Sequence, residues 1–113
     1  NNKFLISKRK KEGLLGGLWE LPGGKKKKNE KNQDCLHREI KEELNIDIKI
    51  QNKIGIIKHE YSHFKINLIA YNCNYKKGNI KTLASDDLAW IINKDIKNFA
   101  FPKSTIKLFN IMD

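Results

Sequence analysis

Residues 23–46, GGKKKKNEKNQDCLHREIKEELNI, decide how this chain is read. Glu39, Glu42 and Glu43 are spaced i, i+3, i+4, so a helix through them carries three carboxylates on one face. Ionised carboxylates at that spacing repel one another, and an isolated helix gains nothing from crowding them. Divalent cations between them resolve the conflict. Leu36, Ile40 and Leu44 recur every fourth residue and give the same helix a separate apolar stripe for a core. The helix is expected to start near Lys31 or Asn32, with Asp34 in its first turn at the positive end of the dipole. It is expected to stop at Asn45, a residue that tolerates the left-handed conformation.

The approach to the helix is equally informative. Pro22-Gly23-Gly24 signals a turn, and glycine there lets backbone carbonyls come close to an ion or ligand. Gly24, five residues, Glu30, seven residues and then Arg38-Glu39-Ile40-Lys41-Glu42-Glu43-Leu44-Asn45-Ile46 resembles the Nudix box. Every charged position of that pattern is present, and Asn45 stands where the family usually has Gly. A surface helix rich in Lys and Glu would account for REIKEEL alone. It would not account for Gly24 and Glu30 at their spacings.

The resemblance implies an α/β (α+β) Nudix fold, a mixed β-sheet between helices (α/β/α), formed by residues 1–113 as a single domain. It also implies hydrolysis of a nucleoside diphosphate linked to another group, with Mg²⁺ or Mn²⁺. On these residues, Glu39, Glu42, Glu43, Arg38 and Glu30 form the catalytic set, and Gly24, Glu39, Glu42 and Glu43 hold the metal. Metal at those carboxylates would neutralise phosphate oxygens, lower the pKa of a bound water and orient in-line attack on phosphorus. Arg38 would orient the carboxylates through charge-assisted bonds, and Glu30 would hold the arrangement from behind. Which glutamate accepts the proton varies within the family and stays open.

The segments around the box, residues 15–24, 59–64 and 99–103 together with Trp90, are similar to two neighbouring branches. One is the MutT-type sanitising enzymes, which cleave 8-oxo-dGTP to the monophosphate. The other is the C-terminal domain of the adenine glycosylase MutY, which helps recognise 8-oxoguanine in DNA. Tyr61, Ser62 and His63 resemble the lesion-contacting loop of the second branch, and Thr105 stands where the first places a purine-reading Asn. With Lys25 these residues are the expected substrate contacts, the substrate being a nucleoside triphosphate or, in the alternative, DNA. The intact box favours hydrolysis. Ala89 weighs the other way, because it stands where MutT-type enzymes can carry another acidic ligand; Asp86 or Asp87 could supply that carboxylate. A whole glycosylase is excluded for these 113 residues, which are too few for its helical domain and hold two cysteines where its iron-sulfur site needs four.

Composition sets the bounds. Net charge is +10 and the isoelectric point is near 9.6, with arginine only at Arg9 and Arg38. Such a balance suits polyanionic partners, while the abundance of Lys, Asn and Ile is also what an AT-rich genome would encode. Lys25, Lys26, Lys27 and Lys28 run together between Gly24 and Glu30, as a solvated loop or as an attractor for polyphosphate. Cys35 and Cys73 have neither a disulfide framework nor metal-ligand spacing, and no signal peptide or membrane-length apolar run is present. A reduced, cytoplasmic protein is the expectation; the sequence leaves its oligomeric state open.

In chain order, residues 4–7 read as a short strand. A strand with nothing before it is a poor start for a sheet, so a preceding strand that this chain lacks is expected. Trp19 reads as core or as a base-stacking platform. Ile46, Ile48 and Ile50 alternate with polar residues as a strand that runs loosely through residue 57, residues 58–64 read as a polar turn, and residues 64–75 are the longest clean alternation. His59 and His63 are solvated or touch substrate, and are no zinc pair. Residues 89–92 read as a strand, Asn93 as the start of a brief helical turn, and residues 103–112 as a terminal helix with Ile106, Phe109 and Met112 inward.

Overall fold

The computed structural model describes residues 3–112. Strand β1, Phe4–Lys8, is the centre of a three-stranded antiparallel sheet, with β2, Trp19–Glu20, on one side and β5, Asp87–Ile91, on the other. Its register pairs Phe4 with Ile91, Leu5 with Trp90, Ile6 with Ala89 and Ser7 with both Leu88 and Glu20. Side chains alternate across a pleat, so these pairs sort into two faces. Phe4, Ile6, Ala89, Ile91 and Trp19 pack in one apolar cluster with Phe101 and Phe109. Leu5 and Leu88 pack in the other, with Ile40, Leu44 and Ile46.

Helix α1, Asn32–Leu44, supplies that second cluster and covers one face, while α2, Lys103–Ile111, covers the opposite one through Phe109. The result is the expected α/β/α layering. The strands β3, Asp47–Glu60, and β4, Lys65–Lys77, form a separate long antiparallel hairpin against which both helices also pack. Where a single mixed sheet was expected, the pairings among the described residues are all antiparallel and fall into two sheets. Short connections such as that from β3 to β4 return the chain antiparallel, since a parallel neighbour needs a long crossover.

The ends of α1 follow their chemistry. Lys31 precedes the helix in an extended conformation, and Asp34 sits in its first turn. Asn45 ends it at φ 60°, donating its N–H to the Lys41 carbonyl at 3.0 Å. Gly78, at the end of the hairpin, comes against that stop: a Cβ there would crowd the Asn45 carbonyl and Ile46.

The expected polar turn at residues 58–64 is shorter than read, because β3 continues to Glu60 and only a tight turn remains, closed by Tyr61 N–H on the Phe64 carbonyl at 2.8 Å. The terminal helix also differs on its inward face: Leu108 and Phe109 are buried, Ile106 is exposed, and Met112 lies just past the helix, packed on the cluster. Trp19 is half-buried, edge-on to Phe99 at 5.1 Å, which is the core reading. A 3₁₀ helix, Asn93–Asn98, follows β5. No helix among the described residues is long and apolar enough to cross a membrane.

Proline at the start of α2 offers no side-chain acceptor for the first free N–H groups. Tyr61 takes that role from the hairpin turn. Its hydroxyl accepts from the Ser104 N–H at 3.0 Å and pairs with the Ser104 hydroxyl at 3.0 Å. Tyr61→Phe should therefore destabilise the fold by about 1–3 kcal/mol, the cost of leaving a buried donor unmet. Urea unfolding should show a lower midpoint at an unchanged slope.

Candidate active site

Arg38 organises the box. Its Nε and Nη2 donate to Glu30 Oε2 and Oε1 at 2.8 and 2.9 Å, a two-pronged pair across the loop. Nη1 donates along the helix to Glu39 Oε2 at 2.8 Å and Glu42 Oε1 at 3.1 Å, and Nη2 also reaches the Lys25 carbonyl at 3.1 Å. One planar guanidinium thus fixes three carboxylates and the loop carbonyl. A lysine could not, having no fork of fixed geometry. Arg38, with the Lys27 backbone N–H, holds the Glu30 carboxyl down at about 2.

Glu30 also accepts from the Lys27 N–H at 2.9 Å, and Lys26 Nζ donates to Asn32 at 3.0 Å, so the lysine loop has a pinned backbone and exposed side chains. Gly24 is explained by contact rather than by backbone angle: a Cβ there would overlap the Glu39 carboxylate. Only glycine lets that carboxylate lie against the chain before the helix.

Glu43 is the exception within the box. Arg38 does not bond it, and its carboxyl is pushed up to about 7 by burial first, then by the negative charges of Glu20 and Glu39; the Gly23 N–H and Arg9 act the other way. A carboxyl group with this surplus of negative charge around it suits a cation. Glu39, Glu42, Glu43 and the Gly24 carbonyl are hard oxygen donors of the kind divalent ions take, so the residues fit such an ion. Among the described residues, no three acidic, His or Cys side chains already converge as a metal cage. Glu39 and Glu42 are instead turned to Arg38.

Across the sheet lie the other expected contacts. Tyr61 is occupied: it bonds Ser104, stacks on Phe64 at 4.8 Å and meets the edge of His59 at 4.3 Å. His59 Nδ1 pairs with Lys107 Nζ at 2.7 Å. Thr105 is buried in the first turn of α2 beside Ser104, whereas Ser62 and His63 are exposed. The structure therefore joins Glu30, Arg38, Glu39, Glu42 and the Lys25 backbone on the α1 side, and Tyr61 with the Thr105 turn on the α2 side. Strand β2 touches both regions. Glu20 faces α1, while Trp19 faces the other cluster and donates its N–H to the Ala100 carbonyl at 2.8 Å.

One residue escaped the sequence reading. Glu20 pairs with Arg9 at 2.6 Å and is the carboxylate outside α1 whose charge acts on Glu43. The signal was one acid inside the otherwise apolar Leu18-Trp19-Glu20-Leu21-Pro22. Ala89 is no gap in a ligand set here: it faces Ile6 and the α2 cluster, away from the carboxylates. Asp86 and Asp87 are exposed, and Asp87 accepts from the Leu88 N–H at 2.8 Å.

Comparison with known proteins gives the family. A family model described as the NUDIX domain matches residues 1–110. The chain belongs to the Nudix family. This Nudix chain is 37% identical over 101 residues to an 8-oxo-dGTP diphosphatase of Buchnera aphidicola from Schizaphis graminum, covering 89% of this chain and 76% of that one. It is 26% identical to the CTP pyrophosphohydrolase of Escherichia coli, covering 96% and 80% of the two chains. The MutT protein of Methanosarcina mazei has the same fold, with a TM-score of 0.88, 24% identity and coverage of 98% of this chain and 83% of that one. The protein is accordingly a MutT-type Nudix hydrolase, a pyrophosphohydrolase, and the family generally uses divalent metal ions.

The raised Glu43 carboxyl has a sign that stability can test. Its folded value of about 7 lies above the ordinary 4.5, so the folded state holds the proton more tightly and ionisation disfavours folding. The penalty is absent below about 4.5, grows between about 4.5 and 7, and is full above that. In chelator, Glu43→Gln should raise the melting temperature at pH 8 and leave it nearly unchanged at pH 4. Equal shifts at both values would contradict the assignment.

Proposed function

We propose that this Nudix hydrolase acts on nucleoside triphosphates, an oxidised purine nucleotide such as 8-oxo-dGTP being the preferred one, with Mg²⁺ or Mn²⁺. The observation that carries the reading is the single guanidinium of Arg38 fixing Glu30, Glu39 and Glu42 beside Glu43, whose carboxyl is pushed up by burial and by neighbouring negative charge. The named activity of the Buchnera relative supports the choice of substrate.

In this reading Glu39, Glu42, Glu43 and the Gly24 carbonyl would hold the divalent ion, which when bound neutralises phosphate oxygens and acidifies water. The remaining work falls to the chain itself. Arg38 keeps the carboxylates in one orientation, Glu30 keeps Arg38 in place, and Gly24 gives Glu39 its room. Lys25 and its neighbours draw the polyphosphate toward the box. Water attacks phosphorus, the P–O bond of the pyrophosphate link breaks, and a box carboxylate receives the proton of the water. The engaged hydroxyl of Tyr61 supports hydrolysis over a non-hydrolytic DNA-lesion module, because that residue is committed to α2.

A panel of nucleotides tests this, with 8-oxo-dGTP and ordinary NTPs and dNTPs incubated with Mg²⁺ and then with chelator. Monophosphate and pyrophosphate should appear only with the metal, fastest from the oxidised purine. Glu42→Gln should lower kcat by roughly a hundredfold or more while the circular dichroism spectrum is kept. Silence on every nucleotide would overturn the hydrolytic reading.

A further inference from the structure

We propose that the outer face of the β3–β4 hairpin, where it meets the first turn of α1, is a docking surface for single-stranded nucleic acid, apart from the box and independent of which nucleotide is hydrolysed. The register of the hairpin sorts its side chains. Directly opposed residues of antiparallel strands share a face, so Lys53 with Tyr71, Ile56 with Ile69 and Lys58 with Asn67 lie on one side. Gly55, Ile57 and His59 lie on the other, which α2 covers: a Cβ on Gly55 would crowd Ile111, Ile57 is buried, and His59 meets Lys107 at 2.7 Å.

The first side is covered only at one end, where α1 packs on Ile46 and Ile48. Farther along it is open. Ile56 is 46% exposed although its neighbour Ile57 is 8% exposed. Lys53, Lys58 and Asn67 are exposed, and Ile69 and Tyr71 are half-buried. Where this face approaches the start of α1, Tyr71 lines an open cleft of about 520 Å³ with Lys31, Asn32, Gln33 and Asp34. Lys26 reaches Asn32 at 3.0 Å, which brings the lysine loop to the rim of the same cleft.

Charge selects the occupant. Residues 48–81 hold seven lysines and a single acid, Glu60. None of the ion pairs among the described residues uses Lys31, Lys53 or Lys58. A second copy of this chain would set these lysines against its own, whereas a phosphate backbone neutralises them and releases its counterions. The uncharged part of the face suits the same partner. Tyr71 and the exposed Ile56 offer bases an apolar surface, and the amides of Asn32, Gln33 and Asn67 offer them donors and acceptors. Bases inside a duplex are already stacked and cannot use such a surface, so the ligand is a single strand.

The test is fluorescence anisotropy of labelled oligothymidylate and oligouridylate of about fifteen nucleotides, beside a duplex of equal length, with no metal or free nucleotide present. The parent chain should bind at least one single strand about tenfold more tightly than the duplex at matched salt. Lys53→Ala with Lys58→Ala should weaken that binding about tenfold and reduce the slope of log affinity against log salt by roughly 1.4, the share of two phosphates. Tyr71→Leu should weaken it about fivefold or more at an unchanged slope. Lys103→Ala with Lys107→Ala makes an equal change of charge on the α2 side, and should leave the affinity within about twofold. Equal losses from the two lysine pairs, a duplex held as tightly as either strand, or no binding to any strand would overturn the proposal. If Tyr71→Leu fails to fold, the two lysine pairs decide, since all four side chains are exposed.

Discussion

The Arg38 fork is the constraint on which the site depends. Glu30 lies in a loop and Glu39 and Glu42 lie on a helix, and nothing in local backbone preference would hold the three together. The guanidinium does so because its donors lie in one plane and point in several directions at once. Its reach to the Lys25 carbonyl extends the order to the lysine loop. Four like charges in a row would otherwise favour an open, mobile chain. With the backbone pinned at Lys25 and Lys27, they form a fixed positive rim beside a negative centre.

Helix α1 has to serve that site and the core together. Ile40 and Leu44 are buried against Leu5, Leu88 and Ile46, so the helix can neither rotate nor slide without losing apolar contact. That rigidity permits the carboxylates on its other side to stay crowded. The unfavourable charge around Glu43 is carried by packing elsewhere on the same helix, a local conflict of the sort found where a ligand is meant to bind. Binding a cation there would relieve it.

Much of this was legible in the chain. The helix bounds at Asn32 and Leu44, the left-handed stop at Asn45 and the acidic face follow from periodicities and turn chemistry that act over a few residues. The box spacing named the catalytic candidates for the same reason: Gly24, Glu30 and Arg38 lie within one loop and one helix. Less legible was Tyr61. An aromatic in a polar turn reads as a ligand contact, yet its hydroxyl is used by the start of α2, because Pro102 leaves that helix without a cap of its own. Ala89 was misleading in the opposite way, since sequence position could not say which face of β5 it occupies.

The chain by itself determined most of its elements, its family and the residue types of the candidate site, all of them matters of neighbouring residues and fixed spacing. The tertiary structure decided which carboxylates Arg38 binds, that Arg9 holds Glu20, that Ser7 is buried opposite Glu20, and that the strands form two antiparallel sheets. These depend on register and on which face of a strand meets which helix. A shift of one residue in β1 would exchange its two faces and leave every local signal in the sequence unchanged.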